Sequence, residues 1–312
     1  MATGTMRRKN MNDTPLVILN GNAGDRNHDQ IREAAAQRGY RLEETKYAGH
    51  GKEIARRAAG GNNLIVAAGG DGTVWEVANG IMKAGKPATL GIIPLGTGND
   101  LCRSLDIEHD IEAALRTIET GRETDIDVGE LTAGSSKILF FNVSSCGFAG
   151  AVDKHLEETD KANWRTLSYI KSGFSALTEL EPFHVDVFCE GQSCEEERIS
   201  ADALNVVVGN GRFAASGIPV APLANLTDGN LDLVLYLGQG ISDQIFNSRL
   251  ILSGEQDRSD TILSLRAQKF AMKFSRPLSI NYDGELHDEE VDEVHYTIHS
   301  RRLRVIVGRN FP

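Results

Sequence analysis

The chain of 312 residues is long enough for two domains, and its 44 Asp and Glu against 33 Lys and Arg give a net charge of −11. That balance excludes a general nucleic-acid binder, which needs a basic face, and gives no electrostatic attraction to an anionic membrane. No window approaches about 18 consecutive apolar residues, so no membrane-spanning helix is expected, and residues 1–13 lack the apolar core of a secretion signal. The cysteines, Cys102, Cys146, Cys189 and Cys194, show neither CxxC nor zinc spacing and are expected to be reduced thiols of a cytoplasmic protein. Arg7-Arg8-Lys9, Arg56-Arg57 and Arg301-Arg302 are short basic clusters of the kind that form solvated faces.

In chain order, Leu16–Leu19 is an apolar strand ended by Asn20-Gly21-Asn22-Ala23-Gly24. The spacing predicts a helix over 30–38 stopped by Gly39, a strand over 41–47, a helix over 53–59 stopped by Gly60-Gly61, and a third strand over 64–68. Gly69-Gly70-Asp71-Gly72-Thr73 follows and opens a helix that runs through Met82. A fourth strand over 90–94 ends in Leu95-Gly96-Thr97-Gly98-Asn99-Asp100, followed by a short helix and a helix over 111–118. Strands alternating with helices imply a parallel, doubly wound sheet. Ligands of such sheets bind beyond the strands' carboxyl ends, where the three glycine-rich turns lie.

From about residue 124 the pattern changes. Segments 124–131, 138–143, 185–190, 203–208, 231–237, 270–274, 278–282, 294–299 and 303–307 are β-like, and helical spacing returns only at 151–157, 167–180 and 242–252. This predicts a mostly β second domain, a sandwich. The expected division is a nucleotide-binding α/β domain over 14–132, completed by 300–312, and a β-sandwich domain over 133–299. A groove between them, beside the glycine-rich turns, is the expected location of the site.

The turn at Gly69 is the most telling stretch. Glycines between a strand's carboxyl end and a helix's amino end let the backbone approach a phosphate, and helix-end amides face the anion. An aspartate inside such a turn would repel phosphate unless Mg²⁺ or a hydrogen-bond network offsets its charge, which suggests phosphoryl transfer. Gly80-Ile81-Met82-Lys83-Ala84-Gly85-Lys86 nearly matches a P-loop, but Pro87 replaces the Mg²⁺-binding hydroxyl and the stretch lies at a helix's end. Gly209-Asn210-Gly211 lacks the third glycine of a dinucleotide fingerprint, Ser144-Ser145 has no GxSxG elbow, and the histidines form no HExxH motif.

Four loop segments carry acidic or polar groups: Gly69 to Thr73, Pro94 to Asp100, APLANLTDGNLD from Ala221 to Asp232, and NYDGE from Asn281 to Glu285. Together they resemble the diacylglycerol kinase catalytic family, bacterial lipid kinases related to sphingosine and ceramide kinases. Further matching pieces are Thr45 with His50, Asp127, Asn142, Gly147-Phe148 and Gly209-Asn210-Gly211-Arg212. Two departures, Gly21 where the family usually has Pro and Gly51 where it often has Ala, leave the nucleotide loops intact.

The resemblance implies a Rossmann-like, NAD-kinase-like first domain followed by the β-sandwich. It implies an ATP site lined by Asn20, Thr45, Gly69, Gly70, Asp71, Gly72, Thr73, Val74, Trp75 and Thr97. Asp71 and Asp100 would join Asp127 and Asp228 in an aspartate–water–magnesium network. Asp228 would hold a structural Mg²⁺ with the main-chain carbonyls near Asn225 and Asn230. Asp283 and Glu285 would flank the transferred phosphoryl group, one of them accepting the lipid hydroxyl's proton. Glu285 is favoured, with Asp283 at the metal or hydroxyl, and the choice stays open.

These residue types suit the chemistry independently. Phosphoryl transfer is mostly positioning and charge neutralisation, Mg²⁺ prefers oxygen ligands, and a carboxylate can take a proton from an attacking alcohol. Carboxylates at i and i+2 of a strand point the same way, so Asp283 and Glu285 could both face the cleft, although Gly284 can bend the chain between them. Structural alternatives stand beside each role. Asp228-Gly229 and Asp283-Gly284 are ordinary turn pairs, Asp100 can be a helix N-cap, Thr45 can be plain strand, and Asp127 can be wholly structural. Trp164, Leu167, Tyr169, Ile170, Phe174 and Leu177 form an apolar stripe that suits a helix core or a lipid-entry channel.

The expected activity is ATP- and Mg²⁺-dependent phosphorylation of a membrane lipid hydroxyl, diacylglycerol to phosphatidate with release of ADP, in phospholipid biosynthesis. Ceramide or a sphingoid base is the alternative acceptor. A soluble nicotinamide-nucleotide kinase is a rival that the Pro94 and Ala221 segments oppose, and a non-catalytic sensor is a second rival that the retained acidic residues oppose. The expected partner is the lipid, reached by peripheral contact from the cytoplasm and transiently at the membrane surface. No nucleic-acid partner is expected, and a homodimer is left open.

Overall fold

The computed structural model describes residues 14–21, 25–147, 181–191, 198–238, 250 and 259–312. The helical spacing at 151–157 and 167–180, the apolar stripe beginning at Trp164, most of 242–252, Phe148, Cys194 and the last three residues of the first glycine-rich turn lie outside these. The chain folds as two compact units. One contains the described residues up to Gly96, Asp106–Thr124 and Leu303–Pro312; the other contains Thr97–Leu105 and the described residues of Asp125–Arg302.

The first unit is built on four parallel strands, β1 (Leu16–Leu19), β2 (Arg41–Glu44), β3 (Leu64–Gly69) and β4 (Thr89–Pro94), in the order β2-β1-β3-β4. Beyond β4, Val305 pairs in parallel with Leu90. β1 and β4 are buried along their whole length, as expected of parallel strands covered on both faces. The helices are α1 (Asp25–Arg38), α2 (His50–Ala58), α3 (Asp71–Ala84) and α5 (Ile111–Thr120). In α3, Val74, Val77, Ala78 and Ile81 follow helical spacing and are buried. Gly80 admits α2 closely, since a Cβ there would lie 2.5 Å from the Lys52 carbonyl oxygen. The near-P-loop stretch is therefore a helix-packing surface ended by Gly85 at φ 62°.

The order β2-β1-β3 reverses the winding direction between β1 and β3. Ligands of doubly wound sheets sit at such a point. The turns there are bolted to the sheet: the Asn20 amide donates to Ala68 O (2.9 Å), Thr45 to Leu19 O (2.8 Å) and Leu95 to Gly69 O (2.9 Å).

The second unit contains α4 (Asp100–Ser104) and the strands β5 (Arg122–Ala133), β6 (Ser136–Phe140), β7 (Val143–Cys146), β8 (Phe183–Glu190), β9 (Arg198–Gly209), β10 (Leu231–Leu237), β11 (Ile262–Ala267), β12 (Lys269–Leu278), β13 (Ile280–Tyr282), β14 (Glu285–Leu286) and β15 (Val291–Val307), with the ends of β5 and β15 lying in the first unit. β9 is shared between layers: its first half pairs with β8, and its second half with β7 and β10. Phe140, Phe270, Tyr296, Val206 and Leu233 meet in one apolar core.

Several expectations are corrected. The segment 138–143 is two strands, β6 and β7, broken at Phe141-Asn142, and the two segments at 294–299 and 303–307 are one 17-residue strand. β11 carries no turn residue at its end and was not expected as a strand; its pairing with β10 defines it. Cys102 and Cys146 are buried and in no disulfide, but Cys189 is disulfide-bonded. A disulfide depends on spatial approach, which cysteine spacing alone does not reveal.

Candidate active site

In the first unit the three turns form a cradle of main chain. Thr45 lies just past the end of β2, so its hydroxyl is available to accept the Gly21 amide at 3.1 Å. A Cβ at Gly21 would come within 2.2 Å of the Thr45 carbonyl oxygen, one at Gly69 within 2.5 Å of the Thr73 side chain, and one at Gly70 within 3.2 Å of Gly96 Cα. Glycine is thus what lets these segments converge. Gly70 is the N-cap of α3 and supplies no side-chain cap, so the first amides of a 14-residue helix end in the turn. Asp71 stands in the first turn of that helix. Thr73 and Val74 are buried, leaving the main chain as their contribution to the turn. Trp75 is half-buried, with the Lys52 ammonium 5.7 Å from its ring centre.

Glu76, one residue further, carries a function that no sequence signal announced. Its carboxylate accepts the amides of Gly49 (2.7 Å) and Gly51 (2.9 Å), capping α2 in place of the side chain its N-cap Gly49 lacks. Beside the third turn lies a cavity of about 280 Å³, lined by Gln30, Pro94, Leu95, Gly96, His109, Asp110 and Ile111.

In the second unit the sequence-predicted acidic residues take distinct places. Asp283 sits in a left-handed turn at φ 49°, followed by Gly284 at φ 90°. Its carboxylate accepts three consecutive amides: Phe141 (2.6 Å) at one oxygen, Asn142 (2.9 Å) and Val143 (3.0 Å) at the other. The break between β6 and β7 is what presents them. Strand periodicity therefore does not aim Asp283 and Glu285 the same way, because Asp283 is not in a strand. Glu285 pairs with Tyr282 on the return of the hairpin, is half-buried, and its carboxylate makes no hydrogen bond or ion pair among the described residues.

The amide-bearing segment is tied inward. Asn210 is fully buried and donates its side-chain N–H groups to Phe141 O (2.7 Å) and Asp127 O (3.0 Å). Asn142 accepts the Ser104 hydroxyl at 2.9 Å and donates to Phe213 O. Asp127, also fully buried, accepts the amides of Gly229 (2.6 Å) and Arg301 (2.7 Å), and its own amide donates to Leu226 O (2.7 Å). Burial pushes its carboxyl pKa up, and the two amide donors work against that shift. A continuous set of bonds thus runs from Asp283 through Asn210 and Asp127 to the loop holding Asp228. Asp100 is placed differently: it is not the N-cap, which is Asn99, and it accepts the amides of Ser216 (3.1 Å) and Gly217 (2.7 Å). Thr97 is exposed in the preceding turn.

Within the Asp228 loop, one Asp228 oxygen accepts the Asn230 amide at 3.0 Å and the other lies 3.6 Å from the Arg266 guanidinium. The Asn225 side-chain oxygen accepts both the amide and hydroxyl of Thr227 (3.0 and 2.9 Å), so any metal contact there would be through the main chain. Arg266 also donates to Asp232 (2.9 Å) and to Leu223 O (2.7 Å). The second Asp232 oxygen is buried with no hydrogen-bond partner. Among the described residues no three His, Cys, Asp or Glu side chains gather as a ligand cluster. One carboxylate with main-chain carbonyls is nevertheless a hard-oxygen donor set, which fits Mg²⁺.

Main-chain amides gathered at the turns of a parallel sheet suit a phosphate-bearing ligand, and the other unit carries an organised carboxylate network, the parts a phosphotransferase needs. The comparisons agree. Residues 14–131 match the profile of the "Diacylglycerol kinase catalytic domain" family, and residues 142–307 that of the "YegS C-terminal NAD kinase beta sandwich-like domain". A protein named "Diacylglycerol kinase" from Bacillus subtilis (strain 168) is 30% identical over 260 residues, 82% of this chain and 83% of the relative. A "Probable lipid kinase YegS-like" from Klebsiella pneumoniae (strain 342) is 30% identical over 221 residues, 71% of this chain and 70% of the relative. The crystal structure of a diacylglycerol kinase from Bacillus anthracis str. Sterne superimposes with a TM-score of 0.72 at 23% identity, covering 96% of this chain and 98% of that one, a likeness of fold. The chain belongs to the diacylglycerol kinase catalytic family. Membership makes it a lipid kinase by family and implies ATP as the phosphoryl donor. Among the described residues no helix is long and apolar enough to cross a membrane.

Proposed function

We propose that the protein phosphorylates the free hydroxyl of diacylglycerol, giving phosphatidate and ADP, with Glu285 as the general base. The observation that carries this reading is the contrast between two neighbouring carboxylates. Asp283 is saturated by three main-chain amides, whereas Glu285 makes no hydrogen bond or ion pair among the described residues. A carboxylate already accepting three amides is a poor proton acceptor, and one without such bonds is free to take the hydroxyl proton as the oxygen attacks the γ-phosphorus. Asp283 sets the hairpin; Glu285 acts from it.

On this reading the Gly69 to Thr73 turn and the amides of α3 hold the phosphates, and Asn20, Thr45, Trp75 and Thr97 belong to the nucleotide site. Asp228, with the main-chain carbonyls near Asn225 and Asn230, would hold Mg²⁺, which supplies counter-charge to the phosphates when bound. Asp127 fixes that loop through Gly229, and the family resemblance would add Asp71 and Asp100 to the same magnesium network. The lipid is met by peripheral contact at the membrane surface, from the cytoplasm.

The test is transfer of labelled phosphate from ATP to dioleoylglycerol, ceramide, sphingosine and NAD presented in parallel. Glu285→Gln is expected to lower kcat by about 10²-fold or more, in the range of lost general-base catalysis, with ATP affinity nearly unchanged. Near wild-type turnover in Glu285→Gln removes the base assignment. Label in ceramide or NAD, with none in dioleoylglycerol, replaces the acceptor.

A further inference from the structure

The hairpin that carries Glu285 has a second anchor, apart from the three amides that hold the Asp283 carboxylate. β13 pairs with β7 through Ile280 with Cys146, Asn281 with Ser145 and Tyr282 with Ser144. Ser144 is fully buried, and its hydroxyl donates to the Asn281 carbonyl oxygen at 2.8 Å. The same hydroxyl lies 2.9 Å from the Tyr296 hydroxyl. With one proton each, Ser144 donates to Asn281 while Tyr296 donates to Ser144. Tyr296 is itself fully buried, set edge-on against Phe140 with ring centres 5.9 Å apart, so its hydroxyl has a fixed origin in the core. Asn281 passes the constraint on: its side-chain oxygen accepts the Gly284 amide at 3.2 Å, one residue before Glu285.

We infer that Ser144, backed by Tyr296, is a positioning residue that sets where the Glu285 carboxylate sits. A serine would ordinarily be a poor choice on a strand facing an apolar core. Here it supplies a directional bond to a carbonyl of the hairpin, and the tyrosine behind it fixes the direction. An alanine would fill the space but leave the rotation of β13 against β7 to apolar packing, which is not directional. Displacement of a catalytic group by about 1 Å can cost around 10²-fold in rate. The inference rests on Glu285 being the base, and the experiment separates the two.

Full-length wild type, Ser144→Ala, Ser144→Thr, Tyr296→Phe, Glu285→Gln and the double variant Ser144→Ala/Glu285→Gln are assayed for phosphate transfer to dioleoylglycerol in mixed micelles, with KM for ATP and thermal unfolding measured alongside. Ser144→Ala is expected to lose roughly tenfold in kcat, with KM for ATP within about twofold, and Ser144→Thr to recover most of the loss. Tyr296→Phe falls between them. The deciding measurement is the double variant. A misplaced base costs nothing further once the base is gone, so Ser144→Ala in the Glu285→Gln background is expected to change residual turnover by less than about twofold. The same loss in both backgrounds, or wild-type kcat in Ser144→Ala, overturns the positioning role while leaving the kinase reading intact. Failure of wild type to phosphorylate any lipid hydroxyl overturns the kinase reading and this inference with it.

Discussion

Gly21 and Gly51 depart from the family's usual residues, and each departure has a local cause. The Gly21 amide donates to the Thr45 hydroxyl, a bond that proline cannot make, and the main chain runs too close to Thr45 O for any Cβ. Gly21→Ala is expected to destabilise by about 1–3 kcal/mol, the usual cost of overpacking, and to weaken ATP binding because Thr45 is displaced; denaturant unfolding and calorimetric titration with ATP check both. At Gly51, an alanine Cβ would meet the Glu76 carboxylate at 2.7 Å. Since that carboxylate caps α2, Gly51→Ala is expected to cost about 1 kcal/mol, and in the Glu76→Ala background the same substitution should be close to neutral.

The buried Cys146 thiol offers a test against pH. Burial pushes its pKa up to about 12 from an ordinary 9.0, and Tyr296 moves in the same direction for the same reason. A group raised in the folded state contributes fully below its unfolded value and loses that contribution as pH rises toward its folded one. For Cys146, stability is therefore expected to fall from about pH 9 toward 12 by about 1.4 kcal/mol per pH unit, and Tyr296 adds its own fall only above its ordinary 10.0. The urea midpoint measured against pH should show this slope, and Cys146→Ala should flatten it whatever its cost at neutral pH.

At the scale of elements, the first unit's strands and helices were legible because period and punctuation agree. β1, β3 and β4 are largely apolar, buried runs, unlike β2 with its Arg-Leu-Glu-Glu, and Gly39 and Gly85 end helices in left-handed conformations. The α5 start is similarly explicit, since Asp110 accepts the Ala113 amide at 2.8 Å. Asp110→Ala is expected to cost about 1 kcal/mol, seen as a drop of a few degrees in melting temperature. What was not legible is long-range. The break at Phe141-Asn142 looks like continuous strand because both flanks are apolar, and only the approach of Asp283 from 142 residues away explains it. Glu76, Arg266, Ser144 and Tyr296 carry no motif, because their partners are set by tertiary approach rather than by spacing. Motif order pointed to the acidic residues, yet it could not show that Asp283 is held by three distant amides while the Glu285 side chain makes no hydrogen bond among the described residues.

For the whole molecule, the net charge of −11 bears on how it meets its substrate. On the proposed reading, in which the lipid is met at a membrane surface, this charge is repelled by an anionic surface over about a Debye length, about 10 Å at 0.1 M salt and about 30 Å at 0.01 M. Turnover on dioleoylglycerol vesicles is expected to fall as anionic phospholipid is added at low salt and to recover with added salt, read by initial rate. Stimulation by anionic lipid would instead locate a basic contact face.

The division of labour in the NYDGE hairpin has a practical outcome. Because the Asp283 carboxylate secures the turn and the Glu285 carboxylate holds no hydrogen bond among the described residues, the two side chains can fail separately. Losing the first should unmoor the loop, whereas losing the second should yield a well-folded but silent copy. Such a copy would still engage nucleotide and lipid, making it a natural decoy for competing with the active chain inside a cell.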